Sequence, residues 1–141
     1  MKLLITEKIN YQNEGVEYFL KKQFKEAKQS FRKAFQTDPT NPINLFNMAR
    51  VCEELGELEQ AEDFYCAARI FGYSDAIFNL AVLYKDQGRT VEARDLFYEY
   101  TTKVPPTDPH AIWVRVNIKK HNLEVVCENS GKHSSNESIC G

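Results

Sequence analysis

Few side chains in this sequence are spaced for chemistry. The histidines are His110, His121 and His133, and all of them lie in the last third of the chain. Adjacent acidic residues also occur, but neighbouring positions on a helix face different directions, so these carboxylates cannot act as a pair; they are Glu53 with Glu54 and Glu62 with Asp63. The sequence contains no glycine-rich phosphate loop. We therefore expect no catalytic residues and no enzyme activity.

Metal and cofactor sites are not expected either. Cys127, His133 and Cys140 include two residue types that bind metals, but they lack the short paired spacing of structural zinc sites. The other two cysteines, Cys52 and Cys66, fall within helical apolar patterns. We interpret them as buried thiols in a reducing compartment, which predicts a cytoplasmic protein.

Composition predicts a single ordinary globular domain. The chain has 141 residues, a net charge of -2, 27% charged residues and 43% hydrophobic residues. Acidic and basic residues are interspersed throughout, so no strong electrostatic field is expected to attract nucleic acid or anionic lipid. We expect no membrane association, because no run approaches the roughly 20 apolar residues of a membrane span and Met1–Ile5 is too short for a secretion signal.

An internal repeat is the strongest pattern in the sequence. Three alanines recur, each followed four residues later by an aromatic residue: Ala27 with Phe31, Ala61 with Tyr65, and Ala93 with Phe97. A small residue stands twelve positions before each alanine: Gly15, Ala49 and Ala81. Small residues at such positions allow two helices to pack closely, so the pattern predicts repeated helical hairpins.

These residues resemble the tetratricopeptide repeat family, whose unit of roughly 34 residues carries this order of small and aromatic positions. The resemblance covers about residues 8–107, as repeats 8–41, 42–73 and 74–107. The second repeat is shorter, with Gly72 where the family has proline. The resemblance implies an all-α fold, a right-handed superhelix of three hairpins, followed here by a C-terminal capping helix.

Cap residues and helix breakers place seven helices. Asn41 precedes Pro42 and Asp108 precedes Pro109, which is typical of helix starts, whereas Gly56 and Gly88 are typical of helix ends. The predicted helices span about 6–20, 24–37, 42–55, 58–71, 74–87, 90–103 and 109–121. Residues 1–122 would then form the domain. Residues 123–141 carry few apolar side chains and are predicted to be a disordered tail.

In the family, the first helix of each repeat lines the concave side of the superhelix. Carried over by position, the lining residues would be Ile9, Gln12, Asn13 and Val16, then Ile43, Phe46, Asn47 and Arg50, and finally Asp75, Phe78, Asn79 and Val82. Asparagine recurs at one position of all three repeats, as Asn13, Asn47 and Asn79. A carboxamide both donates and accepts, so such a row can pair with the backbone of an extended peptide. Alternatively, each asparagine bonds only to a neighbouring helix.

An apolar pair and one cation complete the predicted site. Phe46 and Phe78 stand at matching positions and would either form an exposed hydrophobic stripe or belong to the core between helices. Val82 lies near Phe78, and Gln12 near Asn13. Arg50 would meet an acidic side chain of a ligand, or else pair with Glu53 or Glu54.

The same resemblance argues against one ligand class. Family members that bind chaperone tails clamp a terminal carboxylate with lysine, asparagine and arginine at fixed positions. Those positions are occupied here by Gln12, Val16, Asn47, Asp75 and Asn79, of which only Asn47 agrees. We therefore expect an adaptor for a different peptide segment. The alternatives are a self-associating module, such as a homodimer through the apolar stripe or through the helix around Trp113, or an accessory subunit of a larger complex.

Overall fold

The computed structural model of the protein describes residues 2–118, with side chains described from residue 10 onward. This part of the chain contains only helices: α1 (Lys2–Leu20), α2 (Phe24–Thr37), α3 (Pro42–Glu54), α4 (Leu58–Ile70), α5 (Ser74–Asp86) and α6 (Thr90–Lys103). A seventh helix, α7, follows over residues 109–118. The predicted all-α fold is therefore confirmed.

Most predicted helix limits agree within one residue, and α1 is the exception. It begins at Lys2 rather than near residue 6, because the residues before Thr6 are good helix formers and include neither glycine nor proline. The predicted caps hold: Asn41 Oδ1 accepts from the Ile43 amide at 2.9 Å, and Asp108 Oδ1 accepts from the Ala111 amide at 3.0 Å. The predicted tail over 123–141 and the end of the capping helix lie outside the described residues.

The three hairpin turns share one geometry. In each, an amide bonds back to the carbonyl five residues earlier at 2.9 Å: Gln23 to Tyr18, Glu57 to Cys52, and Arg89 to Tyr84. The residue before that donor takes a left-handed conformation, and two of the three turns supply glycine for it, at Gly56 and Gly88. In the first turn the residue is Lys22, with φ of 60°. Sequence patterns do not predict this conformation, since Lys22 is not a typical turn residue.

The chain divides into two compact units, Met1–Ala76 and Ile77–Gly141. In the first unit, α1 packs on α2, α2 on α3 and α3 on α4. Phe31 lies at its centre, buried with Ala27, Met48 and Val51. A Cβ atom at Gly15 would collide with the Phe31 ring, which confirms that this small residue permits close helix packing.

The second unit has its own buried core, formed by side chains of α5, α6 and α7. Leu80 and Ala81 of α5, Phe97 and Tyr100 of α6, and Val114 of α7 are all buried. The closing helix therefore covers the third hairpin with apolar side chains, as repeat arrays require at their ends. This packing brings α7 beside Phe78 and so determines what surrounds that predicted site residue.

The thiols of the repeats differ in burial. Cys52 is buried, as predicted, and its Sγ lies 3.8 Å from Gln60 Oε1. Burial raises the pKa of the Cys52 thiol, although the nearby Lys28 charge opposes this. Cys66 was also expected to be buried, but it is only partly so, because its position on α4 leaves one side of the thiol uncovered.

Candidate peptide-binding surface

The first unit brings together predicted site residues of two helices. Gln12, Asn13 and Val16 lie on α1, and Phe46, Asn47 and Arg50 lie on α3. Two contacts join the helices here: the Gln12 Nε2 donates to Asn44 Oδ1, and the Arg50 guanidinium lies over the Phe19 ring. We call this set, with Phe19 and Ile43, the α1–α3 surface. Ile9 belongs to α1, but its side chain lies outside the described part.

The three predicted asparagines have unequal surroundings. Asn13 is exposed, Asn47 is only 8% exposed, and Asn79 is partly buried. Asn13 and Asn47 belong to the first unit, whereas Asn79 belongs to the second. Equal repeat positions therefore do not give equal access to a ligand, and the peptide-binding role of the row stays a prediction.

A fourth asparagine, Asn44, has a structural role that sequence reasoning missed. It is 1% exposed, and its Nδ2 donates to the carbonyls of Ala34 at 3.0 Å and Asp38 at 3.3 Å. The Asn44 side chain thus joins the start of α3 to the end of α2, while its Oδ1 accepts from Gln12 on α1. The Gln12 Nε2 therefore already donates a hydrogen bond within the protein. Only the proline and cap at the start of α3 hinted that a polar residue would be needed there.

Arg50 is exposed and stacks on aromatic rings. Its guanidinium carbon lies 4.5 Å from the centroid of Phe19 and 5.8 Å from that of Phe46. Glu53, one of the two partners considered for it, accepts a hydrogen bond from the Tyr65 hydroxyl at 2.8 Å. A cation over a ring face is held electrostatically by the ring quadrupole. The two rings therefore favour this position of the Arg50 side chain.

Phe46 is partly buried and is supported by two tyrosines. Its ring centroid lies 4.9 Å from that of Tyr73 and 5.9 Å from that of Tyr65. Burial raises the pKa of the Tyr73 hydroxyl, with a further contribution from Asp75, while the Arg50 charge acts in the opposite direction. Phe46 therefore packs against α4 but keeps part of its ring accessible. Its environment is intermediate between an exposed hydrophobic stripe and the core between helices.

Phe78 is surrounded more completely. Its ring lies near Phe97 at 5.6 Å, Tyr100 at 5.4 Å and Trp113 at 5.9 Å, and stacks on His110 at 4.4 Å between centroids. These neighbours come from α6 and α7, so the Phe78 ring takes part in the aromatic packing of the second unit. Val82, one turn further along α5, is partly buried. A ligand contact by Phe78 or Val82 stays a prediction.

Asp108 holds α7 in the position that encloses Phe78. Its Oδ1 accepts from the Tyr100 hydroxyl at 2.9 Å as well as from the Ala111 amide. The hydrogen bond from Ala111 is the largest cause lowering the pKa of this carboxyl, and the Tyr100 bond adds to it. One carboxylate thus caps α7 and links it to α6.

Within residues 10–118, no three His, Cys, Asp or Glu side chains form a group able to hold a metal ion. His110 belongs to the aromatic packing around Phe78. His121, and the three residues considered for metal binding, Cys127, His133 and Cys140, lie outside the described residues. No helix in the described part is long and apolar enough to cross a bilayer.

Profiles described as tetratricopeptide repeat match residues 18–69 and 75–107. The matched segments include parts of all three predicted hairpins. The chain therefore belongs to the tetratricopeptide repeat family. No curated protein matches the chain.

Solved structures with this fold resemble the protein. The first TPR domain of Spaghetti (RPAP3), bound to the HSP90 peptide SRMEEVD, has 18% identity and a TM-score of 0.71, over 83% of this chain and 94% of that chain. The Arabidopsis OM64 TPR domain gives 19% identity and a TM-score of 0.73, over 84% and 98%. The Sgt2 TPR domain from Aspergillus fumigatus gives 20% and 0.68, over 82% of each chain. At these identities the similarity demonstrates the fold.

Proposed function

We propose that the protein is a non-catalytic adaptor that binds a peptide segment of a partner protein on the α1–α3 surface. The observation that carries this proposal is the Arg50 guanidinium, which is exposed and lies over the rings of Phe19 and Phe46. Preorganised cationic and aromatic side chains of this kind are frequent anchors of protein interfaces. The family and the predicted cytoplasmic location are consistent with such a role.

Polar and apolar groups beside Arg50 suit an extended peptide. Asn13 is exposed and offers a donor and an acceptor to a peptide backbone, and Asn47 would add a second carboxamide at its small accessible edge. Val16 and Ile43 are 43% and 44% exposed and offer aliphatic contact. The roles predicted for Phe78, Asn79 and Val82 concern the second unit and are not part of the α1–α3 surface.

Chaperone tails are not the proposed ligand, although the similar RPAP3 domain is bound to an HSP90 peptide. Gln12 and Val16 occupy two clamp positions of the chaperone-binding members, and Gln12 already donates to Asn44. Neither side chain carries a positive charge, so they cannot form the ion pair with which the clamp binds a terminal carboxylate. We therefore propose a different class of segment.

Selection from a library of random-sequence peptides on the full chain tests the proposal. We expect enriched peptides that bind in solution, and a combined Asn13→Ala, Asn47→Ala variant that binds them about thirtyfold more weakly, since two lost hydrogen bonds contribute about 1 kcal/mol each. Fluorescence polarisation measures the affinity, and thermal unfolding checks that the variant folds. Gln29→Ala, which removes a carboxamide on α2, is the matched control.

Two results would contradict the proposal, the first as a whole and the second in part. If no peptide is enriched over an unrelated control protein, peptide binding itself is wrong. If the combined variant binds as tightly as the Gln29→Ala control, the asparagines do not hold the peptide and only that assignment is lost.

A second candidate function is self-association through α7. Ile112, Trp113 and Val116 are 48%, 39% and 63% exposed, and their spacing places them on one side of the helix. Such a cluster is typical of a surface that a partner covers. Light scattering on dilution tests for a homodimer, with Val116→Glu expected to yield a monomer. A wild-type chain that is already monomeric would rule this candidate out.

A further inference from the structure

We propose that the α1–α3 surface selects segments in which an aspartate or glutamate side chain stands beside an aliphatic residue, and that Arg50 binds this carboxylate. This inference rests on the peptide-binding function proposed above. It specifies the chemistry of the ligand, which the family and its fold leave open.

The N–H donors of Arg50 are available for an anion. The guanidinium carbon lies over the rings of Phe19 and Phe46, and within residues 10–118 the side chain makes no hydrogen bond or ion pair. A guanidinium has five N–H donors, and contact with a ring face does not use them all. A carboxylate matches two parallel N–H groups, which makes it the best partner for these donors.

Aliphatic side chains stand one helical turn from the two rings. Val16 precedes Phe19 by three residues on α1, and Ile43 precedes Phe46 by three residues on α3. Residues at this spacing share a helix face. Both are more than two fifths exposed, so an aliphatic residue beside the ligand carboxylate can be partly buried against them.

Local charge favours a carboxylate over a phosphate. Glu53 and Glu54 follow Arg50 on α3, and the charge of Asp75 acts on the neighbouring Tyr73. These carboxylates repel the second negative charge of a phosphate group. Two other cations of the unit are engaged elsewhere: Lys28 pairs with Glu57 at 2.8 Å, and Lys33 lies over the Tyr11 ring. The charge near Arg50 therefore suits a ligand group with a single negative charge.

Peptides selected on the full chain provide the probe, and Arg50 variants provide the test. We expect wild-type selection to enrich aspartate or glutamate next to leucine, isoleucine or valine. Replacing that acid by its amide should weaken binding to the wild type about tenfold, as expected for a charge-assisted bidentate pair. The same replacement should have little effect on binding to Arg50→Gln, which is the coupling that a direct contact requires.

Three further variants sharpen the result. Arg50→Lys keeps the charge but loses the planar stacking, so it should recover little of the affinity. Selection on Arg50→Glu should enrich lysine or arginine instead of acids. Arg32→Gln, which removes an exposed arginine from α2 of the same unit, should bind like the wild type.

The outcomes separate this inference from the adaptor proposal. Enriched peptides without an acidic preference, bound equally by the wild type and Arg50→Gln, would overturn the inference and leave peptide binding intact. A phosphoserine version that binds more tightly than the glutamate version, or loss of binding when only the peptide terminus is amidated, would also overturn it. If selection yields no binding peptide, both proposals are wrong.

Discussion

The equivalent helices α3 and α5 carry the same repeat pattern but present different surfaces. Phe46 of α3 packs on two tyrosines and lies beneath the Arg50 guanidinium, whereas Phe78 of α5 stands among four aromatic rings. One turn after each phenylalanine, α3 has the exposed Arg50 and α5 has the partly buried Val82. One repeat position thus belongs to a candidate binding site in one helix and to a cluster of aromatic rings in the other.

This difference shows which residues decide whether a helix face stays accessible to a ligand. The small and aromatic residues of the repeat set the helix packing, and they recur in both hairpins. Residues outside that pattern decide whether the same helix face stays accessible: Arg50 on α3, and His110 and Trp113 on α7. Repeat proteins can therefore keep their fold while changing the ligand.

Replacing Phe78 by alanine should give the largest effect on stability. The variant loses ring contacts with α6 and α7 and leaves a cavity, so we expect the free energy of unfolding to fall by about 3 kcal/mol. Urea denaturation followed by circular dichroism measures this change.

Phe46→Ala is the matched control for that prediction. Arg50 and part of the Phe46 ring face solvent, so the loss should be about half as large, while affinity for selected peptides should fall about tenfold. Equal losses of stability for the two variants would contradict the proposed difference between α3 and α5.

Asn44 provides a second test of the difference between α3 and α5. Its counterpart one repeat later is Ala76, so the hydrogen bonds that tie α3 to α1 and α2 are special to the first unit. Asn44→Ala should lower the free energy of unfolding by about 2 kcal/mol, because three hydrogen bonds are lost together. Urea titration of the full chain measures the loss.

Gln12→Ala tests which of those bonds matters. It removes only the bond to α1, so we expect roughly a third of the Asn44→Ala loss. A loss as large as that of Asn44→Ala would show that the tie to α1 dominates and that the bonds to the end of α2 contribute little.

Sequence reasoning predicted the fold well because the fold depends on local, repeated signals. Gly15 and Phe31 meet as their spacing indicated, and the caps at Asn41 and Asp108 form where proline follows them. Such signals act within one hairpin or one turn, so a single sequence is enough to read them.

The candidate site was less predictable, because it depends on contacts between residues distant in sequence. The repeat aligns Asn13, Asn47 and Asn79 but gives no information on their unequal burial. Likewise, Arg50 was predicted to face a ligand or nearby glutamates, whereas its stacking on Phe19 joins two separate helices. Side-chain environments of this kind are set by tertiary packing.

The smallest predicted effect concerns the turns, where the first hairpin differs from the other two. All three turns have the same hydrogen bond, but Lys22 adopts the left-handed conformation that Gly56 and Gly88 adopt elsewhere. That conformation costs a residue with a Cβ atom about 1 kcal/mol, so Lys22→Gly should raise the free energy of unfolding. The gain should be somewhat less than 1 kcal/mol, because glycine also increases the conformational entropy of the unfolded chain. Lys21→Gly, at the end of α1, is the control and should be neutral or destabilising. Urea denaturation measures both variants. A Lys22→Gly variant that is less stable than the wild type would show that the turn is not strained.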